Sequence, residues 1–167
     1  MSAINFEELL VDSSRILADL VAERISDDPA LLDQIYNLAL KEDGQMSMRA
    51  ARVFDLADEA HPGLVKDYID ECYRLIPGMK HRSVQRCLMR TLSRYPLTAD
   101  EELLGIFYDF SYRLVTDHRA PVAVRYYGMY FAYQTCMKEP DLKHELLPLL
   151  DEVLKNDSSG MKHRAKM

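Results

Sequence analysis

Apolar residues recur three and four positions apart along almost the whole chain, and that spacing constrains the fold more than any other feature of the sequence. It places them on one face of a helix. Leu31, Ile35, Leu38 and Ala39 follow the rule, as do Val53, Leu56, Ala57 and Ala60, and again Leu146, Leu149, Leu150 and Val153. Sustained period-two alternation, the mark of a half-buried strand, does not occur. The single Asp-Gly pair, Asp43-Gly44, separates two helical patterns rather than two strands of a hairpin. The expected fold class is all-α.

Punctuation supports the same reading. Asp28 before Pro29 predicts an N-cap followed by proline at the first helical position, and Ala120-Pro121 repeats the proline placement. Thr98-Ala99-Asp100-Glu101 predicts a capping box, with the Thr98 hydroxyl accepting from the Glu101 amide and the Glu101 carboxylate reaching back. Stops fall at His61-Pro62-Gly63, Pro77-Gly78, Tyr95-Pro96 and Glu139-Pro140. The predicted helices are 4–11, 13–26, 29–42, 47–60, 64–76, 80–95, 99–116, 121–138, 141–156 and a start near 160, arranged as antiparallel pairs.

A short signature opens the second helix of each pair: Ser47-Met48-Arg49, Ser83-Val84-Gln85, Ala123-Val124-Arg125 and Gly160-Met161-Lys162, in each case small, hydrophobic, long polar. The hydrophobic member recurs at separations of roughly 36 to 40 residues, the period of two-helix solenoid repeats. On these residues the chain resembles the HEAT family. In that family a Val-Arg pair opens the second helix and a small residue follows; Met48-Arg49 with Ala51, and Val124-Arg125 with Gly128, are similar. The family also favours an aspartate in the preceding turn, as at Asp43, Asp117 and Asp157, whereas the second repeat has Gln85 for the arginine and Gly78-Met79 for the aspartate.

The resemblance implies a right-handed α-α superhelix, an α-solenoid of about four helix pairs over residues 29–62, 63–97, 98–139 and 140–167. Residues 1–28 would supply N-terminal capping helices, and the whole would form one domain of residues 1–167. Each pair has more apolar surface than it can bury alone, so neighbours must stack. The last pair is expected to be incomplete, since a helix starting near 160 stops at Met167 without a polar cap. Such an end suits either a boundary within a longer protein or a partner covering that face.

Charge is segregated between the two helix sets. First-helix segments (1–46, 63–78, 96–118, 140–159) carry −15 and second-helix segments (47–62, 79–95, 119–139, 160–167) carry +9, which together give the net −6. In HEAT-like arrays the second helices line the concave surface, so the resemblance implies a basic groove on an acidic body. Lys80, Arg82, Arg86, Arg90 and the slightly offset Arg94 form the core of that strip, the arginines following one another at i, i+4. Four arginines on one stripe repel each other. An anionic partner would relieve this, and so would acids on neighbouring helices.

Downstream, Tyr126, Tyr130 and Tyr133 fall at i, i+4 and i+7 beside Arg125, either as an aromatic platform next to the strip or as half-buried packing with wet hydroxyls. The expected function is a non-catalytic scaffold binding a protein or peptide, acidic in character by charge complementarity, through Arg82, Arg86, Arg90, Arg94, Arg125, Tyr126 and Tyr130. A basic groove with interleaved aromatics also suits nucleic acid, which is the alternative reading. HEAT-like repeats form alkylpurine DNA glycosylases, but base recognition there relies on tryptophans and an acidic catalytic residue, and this chain has no tryptophan. The net charge and a sequence pI of about 5.4 weaken phosphate affinity as well.

Other chemistry finds little support. Ser158-Ser159-Gly160-Met161-Lys162 is superficially similar to a loop of adenylosuccinate lyase, but the proline and asparagine of that loop are missing and the lysine is displaced. The segment reads better as a serine N-cap of the last helix. His144-Glu145 begins like a zinc-binding His-Glu-x-x-His, yet Pro148 stands where the second histidine belongs. No metal or cofactor is expected. Cys72, Cys87 and Cys136 each lie within a helical apolar pattern, as reduced thiols packed as small hydrophobes do. No apolar run is long enough to span a bilayer, and residues 1–11 are acidic where a secretory signal is basic. The expected location is cytoplasmic, with no membrane partner.

Overall fold

The computed structural model describes residues 5–166, except the side chain of Glu7. The expected helix start at residue 4 and the final Met167 lie outside the described residues. Helices α1 (Phe6–Leu9), α2 (Arg15–Ser26), α3 (Pro29–Leu40), α4 (Gly44–Ala60) and α5 (Ile69–Leu75) are followed by α6 (Arg82–Leu92), α7 (Glu101–Thr116), α8 (Val122–Lys138), α9 (Lys143–Asn156) and α10 (Ser159–Ala165). Single 3-10 turns at Lys66–Tyr68, Ile76–Gly78 and Pro140–Leu142 lead into α5, follow it, and precede α9. No strand occurs among the described residues, so the chain is all-α as its periodicity predicts.

Caps explain most boundaries. Asp28 accepts from the amides of Ala30 and Leu31 ahead of α3, and Ser158 accepts from the Met161 amide ahead of α10, as predicted. The expected Thr98 capping box does not form. α7 begins at Glu101, and its cap is Asp100, whose carboxylate accepts from the Leu103 amide. Thr98 lies outside the helix, where its hydroxyl accepts from the Asp100 amide and donates to Asp70. Pro121 is likewise the N-cap residue of α8 rather than its first helical position. α4 starts one turn early, at Gly44, so Met48-Arg49 sits inside the helix, and α6 ends at Leu92, leaving Arg94 beyond its last turn.

Contacts gather the chain into two compact units, one of the described residues up to Ile69 with Met79–Arg94, the other of Asp70–Gly78 with the residues from Tyr95 onward. In the first unit α4 packs against α2, α3 and α6. A helix contacted on three sides must be buried nearly all round. Ala50, Ala51 and Ala57 accordingly permit close approach, while Val53 and Phe54 fill the space between, all of them fully buried. Glu42, in a left-handed conformation at φ 53°, accepts from the amides of Lys80 and His81 and so ties the turn before α4 to the start of α6. Arg49 donates to the Leu10 carbonyl and Arg52 to that of Ser13, fastening the N-terminal segment to α4.

In the second unit α7 packs along α8, and α8 contacts both α9 and α10. Gly128 sets the α7–α8 distance. A Cβ there would lie 2.8 Å from the Ser111 carbonyl and 2.9 Å from Leu114 Cβ, so only glycine fits. Tyr73, Phe107 and Phe131 form an edge-to-face cluster, with ring centroids 4.7 Å apart for Tyr73–Phe107 and 5.1 Å for Phe107–Phe131. A second layer of Met129, Ala132, Cys136, Leu146, Leu149, Val153 and Met161 joins α8 to α9 and α10.

Candidate functional site

The arginine stripe of α6 is present, but the fold spends much of it internally. Asp55 and Asp58 of α4 are both 1% exposed, and a buried carboxylate is tolerated only when paired and hydrogen-bonded. Arg90 donates to Asp55 Oδ2 at 2.5 Å and to Glu59 Oε1 at 2.5 Å. Arg94 donates from Nη1 to Asp55 and from Nε to Asp58, each at 2.9 Å, and from Nη2 to the Asp55 carbonyl. Thr91 completes the Asp55 shell. The i, i+4 repulsion is therefore relieved by acids of the neighbouring helix. Arg82 donates to the buried Gln85, whereas Arg86 stays exposed and, among the described residues, makes only a 4.0 Å approach to Cys87 Sγ.

Arg125 also turns inward. Only 4% of its side chain is exposed; it donates twice to the Val115 carbonyl, at 3.1 and 2.7 Å, and makes a two-pronged ion pair with Asp157. Val115 lies in the last turn of α7, where carbonyls lack helical partners, and Asp157 follows the end of α9. One guanidinium thus ties the end of α7 to the α9–α10 turn. Hydrogen bonds from Arg125 hold the Asp157 carboxyl below the usual carboxylate range despite its burial, helped by the Ser158 amide and nearby His118.

Consequently Arg125 is not the cation of the tyrosine platform. That cation is Arg164 of α10, whose guanidinium lies 4.2 Å from the Tyr126 ring centroid and 5.8 Å from that of Tyr130. Around it, Met129, Tyr130, Tyr133, Gln134, Leu150, Arg164 and Ala165 line a largely apolar cleft of about 250 Å³ between α8, α9 and α10. Tyr133 and Met137, one helical turn apart, are 46% and 58% exposed and continue the apolar stripe into solvent. The i, i+4, i+7 spacing identified the tyrosines. Spacing alone does not single out Arg164, because its partnership depends on how α10 packs against α8.

Chemically the cleft can take an aliphatic or aromatic side chain against tyrosine faces, beside the positive charge of Lys162 and Arg164 on α10 and of Lys166 at its C-cap. The three cysteines are buried, and burial pushes the Cys87 thiol up to about 11, far from nucleophilic range. Among the described residues no helix is long and apolar enough to cross a membrane.

The family model of the HEAT repeat domain matches residues 7–165. No curated protein and no solved structure matches the chain.

Proposed function

The chain belongs to the HEAT repeat domain family, whose members commonly serve as protein-interaction scaffolds and are generally non-catalytic, and on that premise we propose that it binds a protein or peptide through the α8–α10 cleft. The observation that carries the proposal is the joining of Tyr130, Tyr133 and Arg164, from the second helices of two successive pairs, around an open apolar cleft. Interface hot spots are enriched in tyrosine and arginine seated around pockets. The partner supplies an apolar or aromatic anchor with carboxylates beside it, matched to the basic α10. In the other unit Arg86 is the strip arginine most open to an acidic surface, while Arg90, Arg94 and Arg125 maintain the fold.

Affinity capture with the whole protein identifies the partner, and titration with that partner then tests the site. Tyr133→Ala and Arg164→Glu are each expected to weaken binding at least about tenfold, the exposed Tyr133→Ala while leaving the melting temperature unchanged. Unaltered affinity in both variants contradicts the assignment. A salt-steep shift of an oligonucleotide, stronger than capture of any protein, would favour the nucleic-acid alternative.

A further inference from the structure

The side of α2 turned away from its own unit is apolar and acidic at once. Ala18, Val21, Ala22 and Ile25 are the buried residues of this helix, which packs against α3 and α4. On the opposite side Ile16 is 76% and Leu20 65% exposed. At about 100° per residue, Ile16, Leu20, Glu23 and Asp27 fall within about 60° of arc, so two large aliphatic side chains and two carboxylates share one outward stripe. Glu23 meets the exposed His61 at 3.3 Å, and Asp27 is in no ion pair among the described residues. Of the two cations of α2, Arg15 is drawn to Asp19 and Glu59, and Arg24 lies on the flank, four residues beyond Leu20. A single exposed aliphatic residue needs no explanation. Two at i, i+4 with charge around them form the kind of stripe that an amphipathic helix lays into a groove.

The α8–α10 cleft has the complementary chemistry. It offers Met129, Tyr130, Tyr133 and Leu150 to an apolar anchor, and α10 beside it carries Lys162 and Arg164, with Lys166 at its C-cap, and no acid. The other large depression of that unit, between α7, the end of α8 and the start of α9, is the wrong match. Glu101, Asp109, Glu139 and Glu145 line it and would repel Glu23 and Asp27. Aliphatic side chains flanked by carboxylates thus suit the first cleft and are opposed by the second.

Resting on the reading of the α8–α10 cleft as a binding site, we infer that it takes α2 of a second copy of this chain. Ile16 and Leu20 enter against Tyr130 and Tyr133, while Glu23 and Asp27 meet Lys162 and Arg164 at the edge. The two surfaces differ, so the contact is heterologous. Each copy added has another α2 and another cleft to offer, and association continues until a ring closes or a filament grows. A different protein carrying the same kind of anchor competes for the cleft and disperses the assembly.

Sedimentation velocity of the full chain tests this. Mass above the monomer should rise with concentration between about 1 and 100 μM. Ile16→Glu with Leu20→Glu should weaken association at least about tenfold without changing the melting temperature, because both side chains are exposed. Tyr133→Ala with Arg164→Glu should weaken it as much. Mixing the two double variants should restore a 1:1 dimer that grows no further, since one supplies an intact cleft and the other an intact α2. A wild-type chain that stays monomeric overturns the inference. So does a mixture that stays monomeric, or an assembly indifferent to both pairs of substitutions. In those cases the cleft reading itself survives if Tyr133→Ala still weakens binding of a captured foreign protein, and falls if it does not.

Discussion

Asp157 and Arg125 show how much one residue can hold at the end of two helices. Because the pair is buried, removing one partner leaves an uncompensated charge, so Arg125→Ala should destabilise the chain by about 3–5 kcal/mol in denaturant unfolding. The folded pKa of Asp157 is depressed below its ordinary value of 3.8. Its contribution to stability is therefore fully present above that value and is lost as pH falls through the lower folded pKa. Asp157→Asn should lower stability at neutral pH and flatten the acid limb of the stability profile; an unchanged acid limb refutes this role. Arg94→Ala, which leaves Asp55 and Asp58 short of donors, should likewise cost about 3–5 kcal/mol, whereas Arg86→Ala should fall within about 0.5 kcal/mol of wild type. Spacing alone makes Arg86, Arg90 and Arg94 alike. Their difference lies in Asp55, Asp58 and Glu59, more than thirty residues away, which only the packing of α6 on α4 brings within reach.

Between elements, two glycines make opposite predictions. Gly128→Ala must push α8 away from the Ser111 backbone and should cost about 1–3 kcal/mol. Gly105→Ala meets open space and should stabilise α7 by up to about 1 kcal/mol. Thermal melts of the two variants check both signs. Asp100→Ala should cost about 1 kcal/mol and Thr98→Ala should leave the α7 cap intact, as measured by chemical denaturation, because the Asp100 carboxylate reaches the Leu103 amide. Helix existence and pairing were legible in the 3.6 period. Their ends were less so, since Thr98 and Asp100 are both good caps and the choice depends on Asp70 capturing the Thr98 hydroxyl. The early start of α4 has a similar cause: Ser47, which looks like the residue that opens the helix, instead donates its hydroxyl to the Leu38 carbonyl of α3.

At the scale of the whole chain, segregated charge serves two ends. In the first unit it supplies an internal ion-pair network, with basic α6 neutralising acids of α4. In the second it leaves two clefts of differing character, one aromatic and edged by the basic α10, the other acidic. The sequence pattern pointed to the HEAT family and to the tyrosine stripe, both local in origin, but could not distinguish cations committed to the fold from cations beside a cleft. Hydrogen exchange of the full chain, with and without its captured protein partner, shows directly whether the α8–α10 cleft is the binding site. Binding at the cleft should give new protection concentrated in residues 126–137 and 161–165. Protection confined to α6, with α8 and α10 exchanging as in the free protein, would contradict it.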